Sequence, residues 1–574
     1  NDLKLKSRED FFKSNLFINM TVAESIFNAI KARNIEYVFC VPGESFLAVL
    51  DAFYGSEKPR LVSTRHEEGA GIMADVYAKA TGKTGVCMVT RGPGITHLSV
   101  ALHTAKQDST PLVAFVGQVS TQFLHREAFQ EINAVEFAGP VSKWAVELSD
   151  TDRVAELVDK AFHIAESGRP GPVLISIPED IDRGECIKHS VLRNSYAISQ
   201  SITAEGARTI SDMIGMAERP CIVAGEGVLR SNVTDKLVEF AELINVPVLT
   251  AWRRFDAFPN KHPLYLGALH VSSYSNILAD PLKKADLVIA VGTRLDEYST
   301  LKYSVPAPGQ NLIQIDHSAA GYGGIRAENS LYITAEVGEA MLKIGEAIKA
   351  SNYTGPSIAR QTELKDWQNR FQKLTTPRSG RTGGVKGSID LEGIYYDIVS
   401  ILEDDFSITC DAGDFGGWLV RYYKWNKPRT FFGPTSGAMG YALPAAISAK
   451  FARPESPAVA FAGDGGFAMT MSELETAVRY KLEKLVAIVF NNNCFGTIRR
   501  HQKREFPGRN IGTILGRINF ADIAKAVGAR GYSVTSNEEF PAALKSALNC
   551  RRPAVIDVLV RDNHPGPWNT AKTE

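Results

Sequence analysis

The chain has no excess charge of either sign: 64 Lys and Arg balance 64 Asp and Glu over 574 residues. Gripping nucleic acid or an anionic membrane over a broad face takes a basic surplus, so neither partner is expected. No stretch approaches the ~18 consecutive apolar residues that cross a bilayer. Asn1 to Asn19 mixes Lys, Arg, Asp and Glu and lacks an apolar core or small-residue cleavage site. The expectation is a cytoplasmic chain without leader or anchor. Cysteine is scarce as well: Cys40, Cys87, Cys186, Cys221, Cys410, Cys494 and Cys550 are scattered, odd in number and form no CxxC pair. That argues against a disulfide framework and a thiolate metal site, and for reduced thiols. Short repeats and heptads are missing too, which leaves solenoids and coiled coils aside.

What is present is ordinary globular composition, 44% hydrophobic and 22% charged, at a length that calls for several cores. Three blocks of alternating strand and helix patterns follow one another. In the first, Tyr37 to Val41, Leu61 to Thr64, Gly85 to Thr90, Leu112 to Val116 and Val173 to Ile177 read as buried strands. The second repeats the alternation with Pro220 to Ala224, Val246 to Thr250, Leu287 to Val291 and Asn311 to Asp316. The third contains Ala458 to Ala462 and Leu485 to Phe490. These patterns predict an α/β protein of three consecutive doubly wound parallel-sheet domains, residues 20–185, 200–350 and 386–562. The stretch Ser351 to Ser388, rich in Gly, Ser, Thr, Arg and Lys, reads as a surface connection, although Leu364 to Phe371 has helical character.

The densest chemical signal lies in the third block. A strand delivers Asp464 to its C-terminal end inside Gly463-Asp464-Gly465-Gly466, and the helical stripe Met471, Leu474, Ala477, Val478 leads to a second strand ending in Asn491-Asn492. Glycines let backbone N–H groups approach phosphate oxygens, and a carboxylate beside an amide oxygen suits a hard divalent cation. Asp464 to Asn492 spans 492 − 464 = 28 positions. This arrangement resembles the signature of thiamine-diphosphate (ThDP) enzymes of the decarboxylase, pyruvate oxidase and acetolactate synthase superfamily. The resemblance runs from Met20 to Val560 and is nearest to acetolactate synthase large subunits.

Further segments carry it. Arg65-His66-Glu67-Glu68-Gly69 opens a helix. A carboxylate there stabilises a helix start by itself, but the resemblance makes Glu67 the acid that activates the aminopyrimidine. Pro42-Gly43-Glu44 and Gly92-Pro93-Gly94 read as tight turns that border the cofactor site in the family. Gly117-Gln118-Val119 and Ser142-Lys143-Trp144 match elements that place Gln118 and Lys143 in the active site. Ser436-Gly437-Ala438-Met439-Gly440 matches the segment gripping the aminopyrimidine, with Met439 propping the cofactor, and Ala412-Gly413-Asp414-Phe415 matches the diphosphate-side loop.

The implied site is therefore Glu67, Gln118 and His501 as catalytic residues. The cofactor lies against Pro42, Gly43, Glu67, Gly413, Gly437, Met439, Gly463, Asp464, Gly465, Gly466, Asn492 and Gly496. Mg²⁺ lies on Asp464, Asn492 and the Cys494 carbonyl, with Asn491 the alternative to Asn492. The resemblance implies decarboxylation of a pyruvate-like 2-oxo acid with ligation to a second carbonyl; a 2-hydroxyacyl-CoA lyase or simple decarboxylase is the alternative. It also implies a homodimer at minimum, with a homotetramer the expected form, and no partner beyond small carbonyl substrates. Three departures concern the finer chemistry. Asp414 and Phe415 replace the usual Gln and His, Tyr298 stands where an acceptor arginine is expected, and His501 replaces a tryptophan. Bound FAD is possible but not favoured, since Gly225-Glu226-Gly227 is only a GxG fragment, and Arg253 and Arg254 read either as contacts to a nucleotide diphosphate or as surface charges.

Overall fold

A computed structural model describes residues 19–187, 201–270, 277–318, 326–378, 389–561 and 566–567. Three six-stranded parallel sheets carry the chain, one per block. Residues 188–200, 271–276, 319–325, 379–388, 562–565 and the chain ends lie outside the described residues. By contacts the chain forms two compact units. One is the first domain without residues 76–82 and 107–109; those segments cluster with the central and third domains in the other.

The first sheet runs from Arg60–Ser63 through Tyr37–Cys40, Gly85–Val89, Leu112–Gln118 and Pro172–Pro178 to Trp144–Glu147. The third runs from Phe431–Phe432 through Ser407–Cys410, Ala458–Gly463, Leu485–Asn491 and Ala554–Leu559 to Arg530–Val534. Both place the second strand at one edge and exchange the last two, so they are topological copies without visible sequence repetition. The central sheet runs Tyr265–Ala268, Val248–Thr250, Pro220–Ala224, Leu287–Val291, Asn311–Asp316, Ser330–Thr334, the order of dinucleotide-binding folds. Strands such as Leu485–Asn491 are buried along their whole length because helices cover both faces, which is why their sequences read as unbroken apolar runs.

Several elements differ from their reading in the sequence. Ile358–Thr375 is one long helix rather than a loop, and its Leu364, Trp367 and Phe371 join the central core. The charged residues on its outer face hide that stripe, and Pro356 stands just before the Ser357 cap, where a helix begins rather than ends. Gly92-Pro93-Gly94 is not a tight turn but the start of the helix Gly92–Asp108; proline tolerates a first helical turn, whose N–H groups have no intrahelical acceptor. The stripe after Asp464 is split between two short helices, Asp464–Thr470 and Glu473–Arg479, and the turn that joins them: Leu474 and Ala477 are buried, and Val478 and the turn residue Met471 only partly. A short antiparallel pair, Asn19–Thr21 with Glu185–Ile187, ties the two ends of the first domain together.

Candidate active site

In the third sheet the chain leaves in opposite directions from the neighbouring strands Ser407–Cys410 and Ala458–Gly463, and open α/β sheets bind ligands at such a switch point. A cavity of about 260 Å³ opens there. Its lining includes Gly413, Gly437, Met439, Asp464 and Asn492, together with Cys494 and the glycines 463, 465, 466 and 496. Segments more than seventy residues apart in sequence thus converge on one space.

The glycines are required where backbone and rings approach closely. A Cβ on Gly466 would lie 2.4 Å from Asp411 Oδ2, and one on Gly465 would lie 2.6 Å from the Phe495 ring. Gly437 has φ +72° with open space around it, so its backbone faces the cavity in a conformation that suits glycine. Asp411, fully behind the wall, accepts from the N–H groups of Gly440 (3.2 Å) and Ala442 (2.7 Å), fixing the Met439 segment against the strand end.

Asp464 is buried, and burial pushes its carboxyl up to about 6 although the N–H groups of Gly465, Asn493 and Cys494 favour the charged form. Asn492 lines the cavity, its Oδ1 accepting the Cys494 N–H at 3.1 Å. Asn491 turns inward instead: Nδ2 donates to Asp557 Oδ1 and to the Ile518 carbonyl, both at 3.0 Å. Of the two asparagines, Asn492 is the one presented to the cavity. A buried acid, an amide oxygen and a glycine cradle fit a metal-bound diphosphate by donor chemistry and by room.

His501 stands elsewhere. It is exposed on the helix Gly496–Glu505, its Nδ1 2.7 Å from Arg504 Nη2, and it is not part of the cavity lining. The same helix sends Arg500 into the lining, where Nη1 lies 3.0 Å from Asp414 Oδ1. Tyr298 packs its ring 5.0 Å from that of Trp252, on the third-domain core.

In the first domain Glu67 opens the helix Glu67–Thr81, buried but for 8% of its surface. Its Oε2 is 2.9 Å from His97 Nδ1. Pro42 and Gly43 follow the strand Tyr37–Cys40, and a Cβ on Gly43 would lie 2.7 Å from Thr90 Cβ. Gln118 is fully buried and its amide is committed: Nε2 donates to the Ile132 carbonyl (2.7 Å) and Glu147 (3.2 Å), and Oε1 accepts the Val119 N–H. Lys143 caps helix-end carbonyls, Ile164 and Ser167.

The central domain's two arginines serve the protein itself. Buried Arg253 donates to the carbonyls of Cys410 (3.1 Å) and Asp411 (3.0 Å), bracing the strand end beneath the cavity. Arg254 meets Glu226 and Asp108. Sequence reading missed Asp411 and His97, and offered Arg253 only as a nucleotide contact or a surface charge. Arg253 and Asp411 act through backbone groups, which no residue pattern announces.

Three family models match in order: the N-terminal TPP (thiamine pyrophosphate) binding domain of thiamine pyrophosphate enzymes over residues 20–137, the central domain over 207–344 and the C-terminal TPP binding domain over 411–558. A probable acetolactate synthase large subunit of Methanococcus aeolicus is 32% identical over 562 residues, covering 94% of this chain and 92% of the relative. The acetolactate synthase large subunit of Corynebacterium glutamicum is 31% identical, covering 95% and 87%. The mitochondrial acetolactate synthase catalytic subunit of Aspergillus candidus is 31% identical, covering 96% and 82%. The chain belongs to the acetolactate synthase family of thiamine pyrophosphate enzymes. Apart from Leu391 and Val560, the cavity lining falls within the segment matched by the C-terminal TPP binding domain, and Glu67 and His97 fall within that matched by the N-terminal one.

Proposed function

We propose that this enzyme removes CO₂ from a 2-oxo acid of the pyruvate class and ligates the remaining acyl unit to a second carbonyl. The observation that carries the proposal is the convergence of Asp464, Asn492, Gly413 and Met439 on one cavity in a chain that matches acetolactate synthase subunits along nearly its whole length. Bound ThDP supplies the electron sink for decarboxylation and the carbon nucleophile. The protein holds it: Asp464, Asn492 and the Cys494 carbonyl offer oxygen to a Mg²⁺ ion, and glycines 463, 465 and 466 bring N–H groups to phosphate oxygens. Met439 would support the aminopyrimidine, and Glu67 is the carboxyl that would hold or release a proton for it. Arg253 keeps the floor of the site in place.

The seven cysteines are free and six are buried, which agrees with a reducing, cytoplasmic setting. No helix among the described residues is long and apolar enough to cross a membrane. Assembly is a homodimer at minimum and a homotetramer in its full form, which sedimentation of the purified protein would test.

Purified protein with Mg²⁺, ThDP and pyruvate should release CO₂ and yield an acetohydroxy acid. An aldehyde as sole organic product would make it a simple decarboxylase. Failure to release CO₂ from any of a panel of 2-oxo acids would overturn the reading.

A further inference from the structure

Two helices of the first domain are drawn together at a glycine. A Cβ on Gly71, in the helix Glu67–Thr81, would lie 2.4 Å from Ala101 Cβ and 2.5 Å from Leu98 Cδ1 of the helix Gly92–Asp108. Glu67 stands one turn before Gly71 and His97 one turn before Ala101, so the same close approach faces these two side chains toward each other. Oε2 of Glu67 and Nδ1 of His97 are 2.9 Å apart. The carboxylate is nearly enclosed, at 11% side-chain exposure, while the imidazole is half exposed.

An ionised carboxylate only accepts, so the imidazole proton sits on Nδ1. The hydrogen bond takes one carboxylate oxygen and leaves Oε1 as the oxygen that can serve the cofactor ring. His66 stands behind the pair: its ring lies 4.5 Å from that of His97, and its Nδ1 accepts the Glu68 N–H at 3.2 Å. The donor atoms of His66, Glu67 and His97 fall within 4.8 Å of one another, the spread of a metal site. The two Nδ1 atoms are engaged separately, that of His66 by the Glu68 N–H and that of His97 by Glu67, and the two rings only pack against each other.

We propose that His97 is a positioning residue for Glu67, holding Oε2 so that Oε1 keeps its aim. The proposal rests on the reading of Glu67 as the activating acid. A charge-assisted hydrogen bond to a group that must stay aligned within a fraction of an ångström makes a rate contribution out of proportion to its contribution to stability.

The test uses the holoenzyme and four variants: His97→Ala, His97→Asn, Glu67→Gln and Glu67→Ala. Exchange of the ThDP C2 proton into D₂O is followed by rapid quench, ThDP affinity by calorimetry, and the ring tautomers of the ligand-free protein by ¹⁵N-histidine NMR. His97→Ala should slow exchange about ten- to a hundredfold, the worth of one hydrogen bond to a charged group, with ThDP affinity nearly unchanged. His97→Asn, which keeps an N–H donor, should recover most of that rate. In the ligand-free wild type His97 should be the Nδ1–H tautomer, and Glu67→Ala should release it. Normal exchange in His97→Ala together with slow exchange in Glu67→Gln overturns the role of His97 and leaves Glu67 in place. Normal exchange in Glu67→Gln overturns the reading beneath it. Equal loss of rate and affinity in both His97 variants would mark His97 as a packing residue only.

Discussion

Arg500 and Asp414 face each other at 3.0 Å inside the lining of the cavity that also holds Asp464 and Asn492. An acid beside a diphosphate is unfavourable unless something answers its charge, and the helix Gly496–Glu505 supplies that answer. Both side chains remain partly exposed, so the pair contributes little to stability, about 0–1 kcal/mol. Its effect falls on ligand binding. Arg500→Ala, which leaves Asp414 unanswered, should weaken ThDP binding roughly three- to tenfold, on the scale of one partly screened charge. Asp414→Asn in that background should restore it. Calorimetry on the two variants decides; equal affinities in wild type and Arg500→Ala would mean that the acid never faces the cofactor.

Glu67→Gln should keep ThDP affinity within a few-fold and lower turnover by about 10²–10⁴, the usual contribution of a general acid or base. The amide retains size and one acceptor but cannot exchange the proton. Turnover near that of wild type would remove Glu67 from the chemistry.

The sequence displayed its strand ends well because buried parallel strands are unbroken apolar runs, and Ala458–Gly463 and Leu485–Asn491 lie within a residue of where their patterns place them. Asp464 and Asn492 follow directly from those ends. What stayed hidden shares one cause: contacts that depend on another segment. Trp144–Glu147, half-buried throughout, has too little apolar character to announce an edge strand. The helix Ile358–Thr375 covers only a narrow stripe. Arg254 resembles a surface charge until Glu226 and Asp108 are folded against it. His97 meets Glu67 only because Gly71 lets two helices touch.

Asp108 illustrates the energetic side. It is fully enclosed, its carboxylate meeting Lys79, Arg254 at 3.2 Å and the Thr435 N–H at 2.9 Å. Burial opposes its ionisation, but Lys79 and Arg254 more than offset this and hold it well below the usual carboxylate range. Its stabilisation is therefore present above the unfolded carboxyl value near 4 and is lost only as pH falls through the depressed value. Asp108→Ala leaves two buried cations short of a partner and should cost about 3–5 kcal/mol. The deficit should show as a lower Tm at neutral pH and shrink only in strong acid. A Tm unchanged at pH 7 would mean that water replaces the carboxylate there.

Asp464 works in the opposite sense. Burial raises it from 3.8 to about 6, so the ligand-free protein holds this proton more tightly than the unfolded chain does. Stability of the ligand-free enzyme should consequently fall as pH rises from about 4 to about 6, and the charged form then carries a constant penalty. Asp464→Asn removes that penalty: its ligand-free Tm should exceed wild type at pH 7 and match it near pH 4. Cation and cofactor reverse the ranking. Mg²⁺ with ThDP should raise the wild-type Tm strongly and the variant's hardly at all, because the amide offers the ion no charge. Below pH 6 the wild type must lose one proton to bind the ion, so its affinity for Mg²⁺ and ThDP should drop about tenfold per pH unit. The scans need four conditions, pH 4 and 7 with and without ligands. If Asp464→Asn bound ThDP with wild-type affinity and the same Mg²⁺ requirement, the Gly463–Gly466 turn would be a structural element and the ion would sit on other oxygens.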